Sequence, residues 1–205
     1  MSDSTLIHEA EHAPIAGYEY GKNHIRRSPV PLEELRHIEA TVGWTDEDSR
    51  ILERHGEIFR SKAEQMVDAW RAVIARQPHL AKWFFGPDGA PDDEYKAKVK
   101  KRFVQWVVDA CFRPHDQEWL DYQEEIALRH TPEKKNVTDG ARTPSVVPLR
   151  YLIAFGTVVG ITSRKFFEDA GVRGHELQRL EDAWAKAVQL HITLWARPYT
   201  KEGLW

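Results

Sequence analysis

One cysteine, Cys111, occurs in the 205 residues of this chain. A lone thiol cannot close an internal disulfide, so the fold has to stand on its packed core, and a reducing, cytoplasmic setting is expected. Long apolar runs are missing as well. The most apolar stretch, 146–161, is broken by Pro148 and Arg150 and is too short to span a bilayer. The start, MSDSTLIHEAEHAP, lacks the basic end and apolar centre of a signal peptide. Nor is there an excess of one charge. Lys and Arg number 29 against 32 Asp and Glu, a net charge of −3, which gives no electrostatic footprint for nucleic acid or an anionic membrane. No glycine-rich phosphate loop, dinucleotide fingerprint or nucleophile elbow is present, so the common nucleotide and hydrolase chemistries have no motif to rest on.

What the chain does have is flat side chains. Eight Trp, eight Phe and six Tyr must pack against each other, a second subunit or a flat ligand. At 41% hydrophobic and 30% charged the balance is that of a globular domain with a substantial core. Residues 1–30 show no sustained period and read as an irregular arm with aromatic anchors at Tyr18 and Tyr20. From there the apolar spacing is helical throughout. A short helix is predicted after Pro31. Another starts at the N-cap Thr45, with Asp48 in its first turn, and the long run to Ile74 should break near His55-Gly56. Asp92 or Asp93 can cap a helix with the stripe Tyr95, Val99, Phe103, Trp106 and Ala110. A helix over 119–130 and a polar loop, TPEKKNVTDGARTP, come next. Residues 148–167 lack strand alternation and read as a buried helix, and the last helix covers roughly 176–195. The expected class is all-α, with one domain over 31–205 behind the arm.

Few residues in this frame carry chemistry. HEAEH, at His8–His12, matches the zinc-protease pattern, but that site needs a buried helix and a third ligand, and Pro14 would end the helix at once. Adventitious metal binding is the expected behaviour there. The charged stretches KVKKRF and EKK (133–135) read as solvated surface, and Glu124-Glu125 falls opposite the apolar stripe of its helix, away from any acid–base role. Gly156 and Gly160 have the spacing that lets helices approach closely. His130 is different. Trp119, Tyr122, Ile126 and His130 share one face, and Pro132 forces the chain to turn just after the imidazole. A core histidine satisfied by a carbonyl and a metal ligand are both open from this stretch alone.

Several stretches together, FGPDGAPDDEY, KKRF, WLDYQEEIALRH, KKN, TDG and VPLRYLIAF, resemble the protoglobins, single-domain haem proteins of archaea and bacteria. The resemblance runs from GYEYG at 17–21 to WARPYTKEG at 195–203. It implies an enlarged globin fold, a three-over-three helical sandwich with an extra N-terminal helix and arm. It also implies a haem held by His130 as the proximal iron ligand, and a homodimer built from the last two long helices. By position it places Trp70, Phe84, Phe103, Val147, Phe155 and Val159 around the haem. Family members commonly carry Trp-Tyr where this chain has Trp70-Arg71, so Arg71 takes the place of a residue that can donate to bound dioxygen. Arg71 either turns outward to water or a propionate, or faces the ligand. The absence of a CxxCH motif leaves non-covalent haem b as the expected cofactor. The implied function is reversible binding of O2, CO and NO as sensor, store or scavenger, with no dedicated catalytic residue. A haem enzyme acting on small ligands with a separate electron donor is the alternative. No signalling or reductase module follows the last helix, so either role would need a partner. Neither nucleic acid nor a membrane is expected as one.

Overall fold

The computed structural model describes residues 14–201 and 203–205. HEAEH lies outside them. Among the described residues eight α-helices follow in chain order: α1 (Leu32–Val42), α2 (Asp46–Arg54), α3 (Gly56–Ala75), α4 (Pro78–Ala81), α5 (Asp93–Phe112), α6 (Gln117–Leu128), α7 (Leu149–Asp169) and α8 (Gly174–Ala196). Single 3-10 turns stand at Lys82–Phe84 and Arg197–Tyr199. Among the described residues there is no strand, only an isolated bridge between Phe85 and Pro91, and no helix is long and apolar enough to cross a membrane.

The helix ends follow local chemistry. Thr45 and Asp48 form a reciprocal capping box at α2, the Asp48 carboxylate accepting from Thr45 N–H at 2.7 Å. That carboxylate also accepts from Lys186 Nζ at 2.9 Å, tying α2 to α8. Asp92 caps α5 through Tyr95 N–H, and Asp116 caps α6 through Trp119 N–H. The break between α2 and α3 falls at His55. It lets Gly56 run under Phe112, whose ring would lie 2.1 Å from any added Cβ. The helix carrying the WLDYQEEIALRH motif stops at Leu128, two residues earlier than its stripe suggests. The backbone N–H of His130 bonds to Ala127, a tightened last turn that places His130 beyond the helix proper.

α7 and α8 pack along each other; α3 lies against α5 and α7, while α6 and α2 lie against α8. Between them is an aromatic core of Phe59, Trp70, Phe167 and Trp184, all essentially inaccessible to solvent. Gly156 serves this packing, since a Cβ there would sit 2.2 Å from Ile192 of α8. Its neighbour Gly160 has nothing within 4 Å of a Cβ and opens onto the surface. The arm is anchored on α5 and α6. Tyr18 and Tyr20 pack edge-on against Tyr122 at 5.3 and 5.5 Å, and Tyr18 donates to Asp109 at 2.7 Å.

Two surface readings give way here. Glu124 and Glu125 are buried, not solvated: Glu124 is paired with Arg197, and Glu125 accepts from Arg129 and Lys134. The KVKKRF and EKK stretches likewise lose Arg102 and Lys135 to the interior, where Arg102 pairs with Asp139 at 2.5 Å and Lys135 is 3% exposed. A helical stripe shows which residues share a face, but not that the arm and a loop will cover the polar one.

Candidate functional site

The turn after α6 fixes His130. Its Nδ1 lies 2.9 Å from the Ile126 carbonyl, which makes Nδ1–H the donor and leaves Nε2 without a proton. Burial pushes the imidazole down to about 4, against the raising effect of that hydrogen bond and with help from the positive charges of Lys135 and Arg129. The ring is therefore neutral at pH 7. Trp195 stacks on it at 5.7 Å and 27°, and Trp195 is itself held by its indole N–H on Gln123 at 3.1 Å. The His130 carbonyl accepts from Val147 N–H at 2.9 Å and lies 2.9 Å from the Tyr199 hydroxyl. Loop, turn and C-terminal segment thus lock one imidazole in place. No group of three potential metal ligands accompanies it among the described residues, so any metal bound here arrives with most of its ligands.

His130 lines a cavity of about 240 Å³. Seven of the eight residues picked from the sequence line it: Arg71, Phe84, Phe103, His130, Val147, Phe155 and Val159. Trp70 does not. Its ring is sealed in the core against Phe103 at 5.3 Å and Trp184 at 6.5 Å, and its indole N–H is taken by Thr162 Oγ1 at 2.6 Å. One step round α3, Arg71 and Ile74 turn to the cavity instead. The guanidinium of Arg71 has no hydrogen-bond or ion-pair partner among the described residues.

One part of the lining is cationic, and the sequence reading missed it. Arg102 grips Asp139 and the Ala16 carbonyl. Arg129 holds Glu125 and the Gly17 carbonyl, yet its Nη2 is buried without an acceptor in hydrogen-bond geometry. Lys135 donates to the Trp83 carbonyl at 2.9 Å, Thr143 at 2.7 Å and Tyr95 at 3.3 Å, with no carboxylate in contact. Burial pushes its ammonium down to about 8, only partly offset by Asp139. All three cations border the cavity. The cavity is thus mainly apolar, with one unprotonated imidazole nitrogen and positive charge in excess of its carboxylates.

A protoglobin family model matches residues 32–205. The chain belongs to the protoglobin family. The globin domain of Geobacter sulfurreducens globin-coupled sensor has the same fold, with a TM-score of 0.63 at 17% identity, covering 81% of this chain and 97% of that one. No curated protein matches. The all-α globin reading therefore holds, and membership in this family implies a haem. The donor set fits one: iron porphyrin asks for a neutral imidazole, flat apolar walls and cations for its two carboxylates.

A second buried imidazole gives a pH prediction. His191, packed between Trp106, Trp119 and Trp195, accepts no charge easily: burial pushes it down to about 3, although Nδ1–H bonds to Ala187 at 2.7 Å. His130 and His191 both sit below the ordinary value of about 6.5. On acidification the unfolded chain takes up protons first, so the stability they contribute is present above pH 6.5 and is lost toward about pH 4 for His130 and about pH 3 for His191. Urea unfolding of the haem-free protein should show falling stability over that range. His191→Phe should reduce the slope by about one proton, roughly 1.4 kcal/mol per pH unit. An unchanged slope would mean that His191 is not held neutral.

Proposed function

We propose that this protoglobin binds haem b non-covalently, with His130 as the axial ligand, and that it binds O2, CO and NO reversibly as a sensor, store or scavenger. The observation that carries the reading is the neutral His130 imidazole, its Nδ1–H spent on Ile126, at the wall of a slot faced by Phe103, Phe155 and Val159. Bound there, haem supplies an iron with one position open to a diatomic gas. The protein residues supply the rest. The Ile126 carbonyl and Trp195 hold the imidazole in orientation, as groups behind a ligating histidine do, while Tyr199 holds the His130 backbone. Phe84, Val147 and the aromatic walls exclude water. Arg102, Arg129 and Lys135 would hold the propionates, and a carboxylate beside Lys135 would offset an ammonium that no carboxylate contacts. Cys111 is buried on α5 and takes no part in attachment. The globin-coupled sensor neighbour supports a sensing role.

Haem titration followed by absorbance, with and without dithionite and CO, tests this. One haem per chain and a CO-shifted ferrous spectrum are expected. His130→Ala should lose haem, or hold it only with added imidazole. Wild-type uptake and spectrum in His130→Ala would overturn the ligand assignment.

The chain is also proposed to pair with a second copy through α7 and α8, in the soluble cytoplasm. Ile153 and Ile161 of α7 are 53% and 70% exposed beside the open surface of Gly160, an apolar stripe along a groove shared with α8. Light scattering should give twice the chain mass, and Ile161→Glu should give one. A monomeric wild type would remove the interface.

A further inference from the structure

Four cations border the cavity, and three of them are engaged. Arg102, Arg129 and Lys135 each spend donors on carboxylates, carbonyls or hydroxyls. Arg71 is different: partly buried, on the cavity face of α3, with no acceptor among the described residues. The other α3 residue on that face is Ile74, so no neighbouring polar group on the helix satisfies it. A guanidinium keeps its charge at any accessible pH, presents five N–H donors in a fixed fork, and is costly to hold among apolar walls without an anion. Trp70, the adjacent candidate donor, is removed from competition by its bond to Thr162. α3 packs on α5, with Trp70 against Phe103, while His130 belongs to the α6 and α8 side with Trp195. Arg71 and His130 therefore approach the slot from different walls.

We infer that Arg71 makes this pocket selective for small monoanions, such as azide, fluoride or nitrite, which its N–H fork receives on the wall formed by α3 and α5. The inference deepens the haem-pocket reading and rests on it. The anion enters and leaves intact; Arg71 contributes charge-assisted hydrogen bonds and no covalent step. A haem propionate is the other carboxylate-like anion within the slot. The positions of Arg102 and Arg129, beside the arm, and of Lys135 argue that propionates are met there, leaving Arg71 free for an incoming ligand.

The test uses haem-loaded wild type, Arg71→Leu and Arg71→Lys. Azide and fluoride affinities of the ferric proteins and CO affinity of the ferrous proteins are measured by absorbance, and each chain is also loaded with haem dimethyl ester. Arg71→Leu should weaken both anions about tenfold or more, Arg71→Lys by less, and CO affinity should stay within about threefold. Equal anion affinities in wild type and Arg71→Leu would overturn the inference. So would a loss confined to haem retention that disappears with the dimethyl ester, which would assign Arg71 to a propionate. A wild type that takes up no haem would instead sink the haem reading, and this inference with it.

Discussion

The hydrogen bond from His130 Nδ1 to the Ile126 carbonyl is the constraint on which the site depends. It uses the carbonyl that the end of α6 leaves open and fixes the tautomer, leaving the other nitrogen unprotonated in a ring that lines the cavity. Burial then keeps the ring neutral, so no proton competes for that nitrogen near pH 7. The neighbouring parts make sense as supports. Pro132 turns the chain, Val147 and Tyr199 close over the His130 carbonyl, and Trp195 stacks on the ring.

A second layer of organisation is electrostatic. The slot is lined by aromatic and aliphatic groups, and its cations are brought in by long side chains from α3, α5 and the loop after α6. Burying Arg102–Asp139 and Arg129–Glu125 confers little net stability in itself, because desolvation cancels much of the attraction. What these pairs do is specify geometry: through the Ala16 and Gly17 carbonyls they seat the arm over α5 and α6. The arm thus packs against two of the cavity's cations, while Tyr18 and Tyr20 pack on Tyr122.

Much of this was legible in the sequence, because helical spacing and caps are local. The Thr45 cap with Asp48 in the first turn, the break at His55-Gly56 and the long helices over 148–167 and roughly 176–195 all announce themselves within a few residues. The cavity-facing side chains were legible only through the family resemblance, which named their positions without their orientation. That is why Trp70 and Arg71, adjacent in the chain, were grouped together. A 100° step separates a sealed core indole from a cavity guanidinium, and the step is decided by Thr162, 92 residues away. Lys135 was illegible for a related reason. In KKN one lysine, partly exposed, meets the buried Glu125 and the next reaches Trp83, Tyr95 and Thr143 inside, and nothing local distinguishes them. Gly156 shows the converse, a small residue whose meaning lies in Ile192 of the facing helix.

The central claim is that His130, held by Ile126, is the protein's bond to haem iron. Resonance Raman spectra of the ferrous, gas-free protein carrying iron of two isotopes test it most directly. The account predicts an isotope-sensitive iron–imidazole stretch in the wild type that is absent in His130→Gly and returns with added imidazole. The same stretch in His130→Gly without imidazole would contradict it.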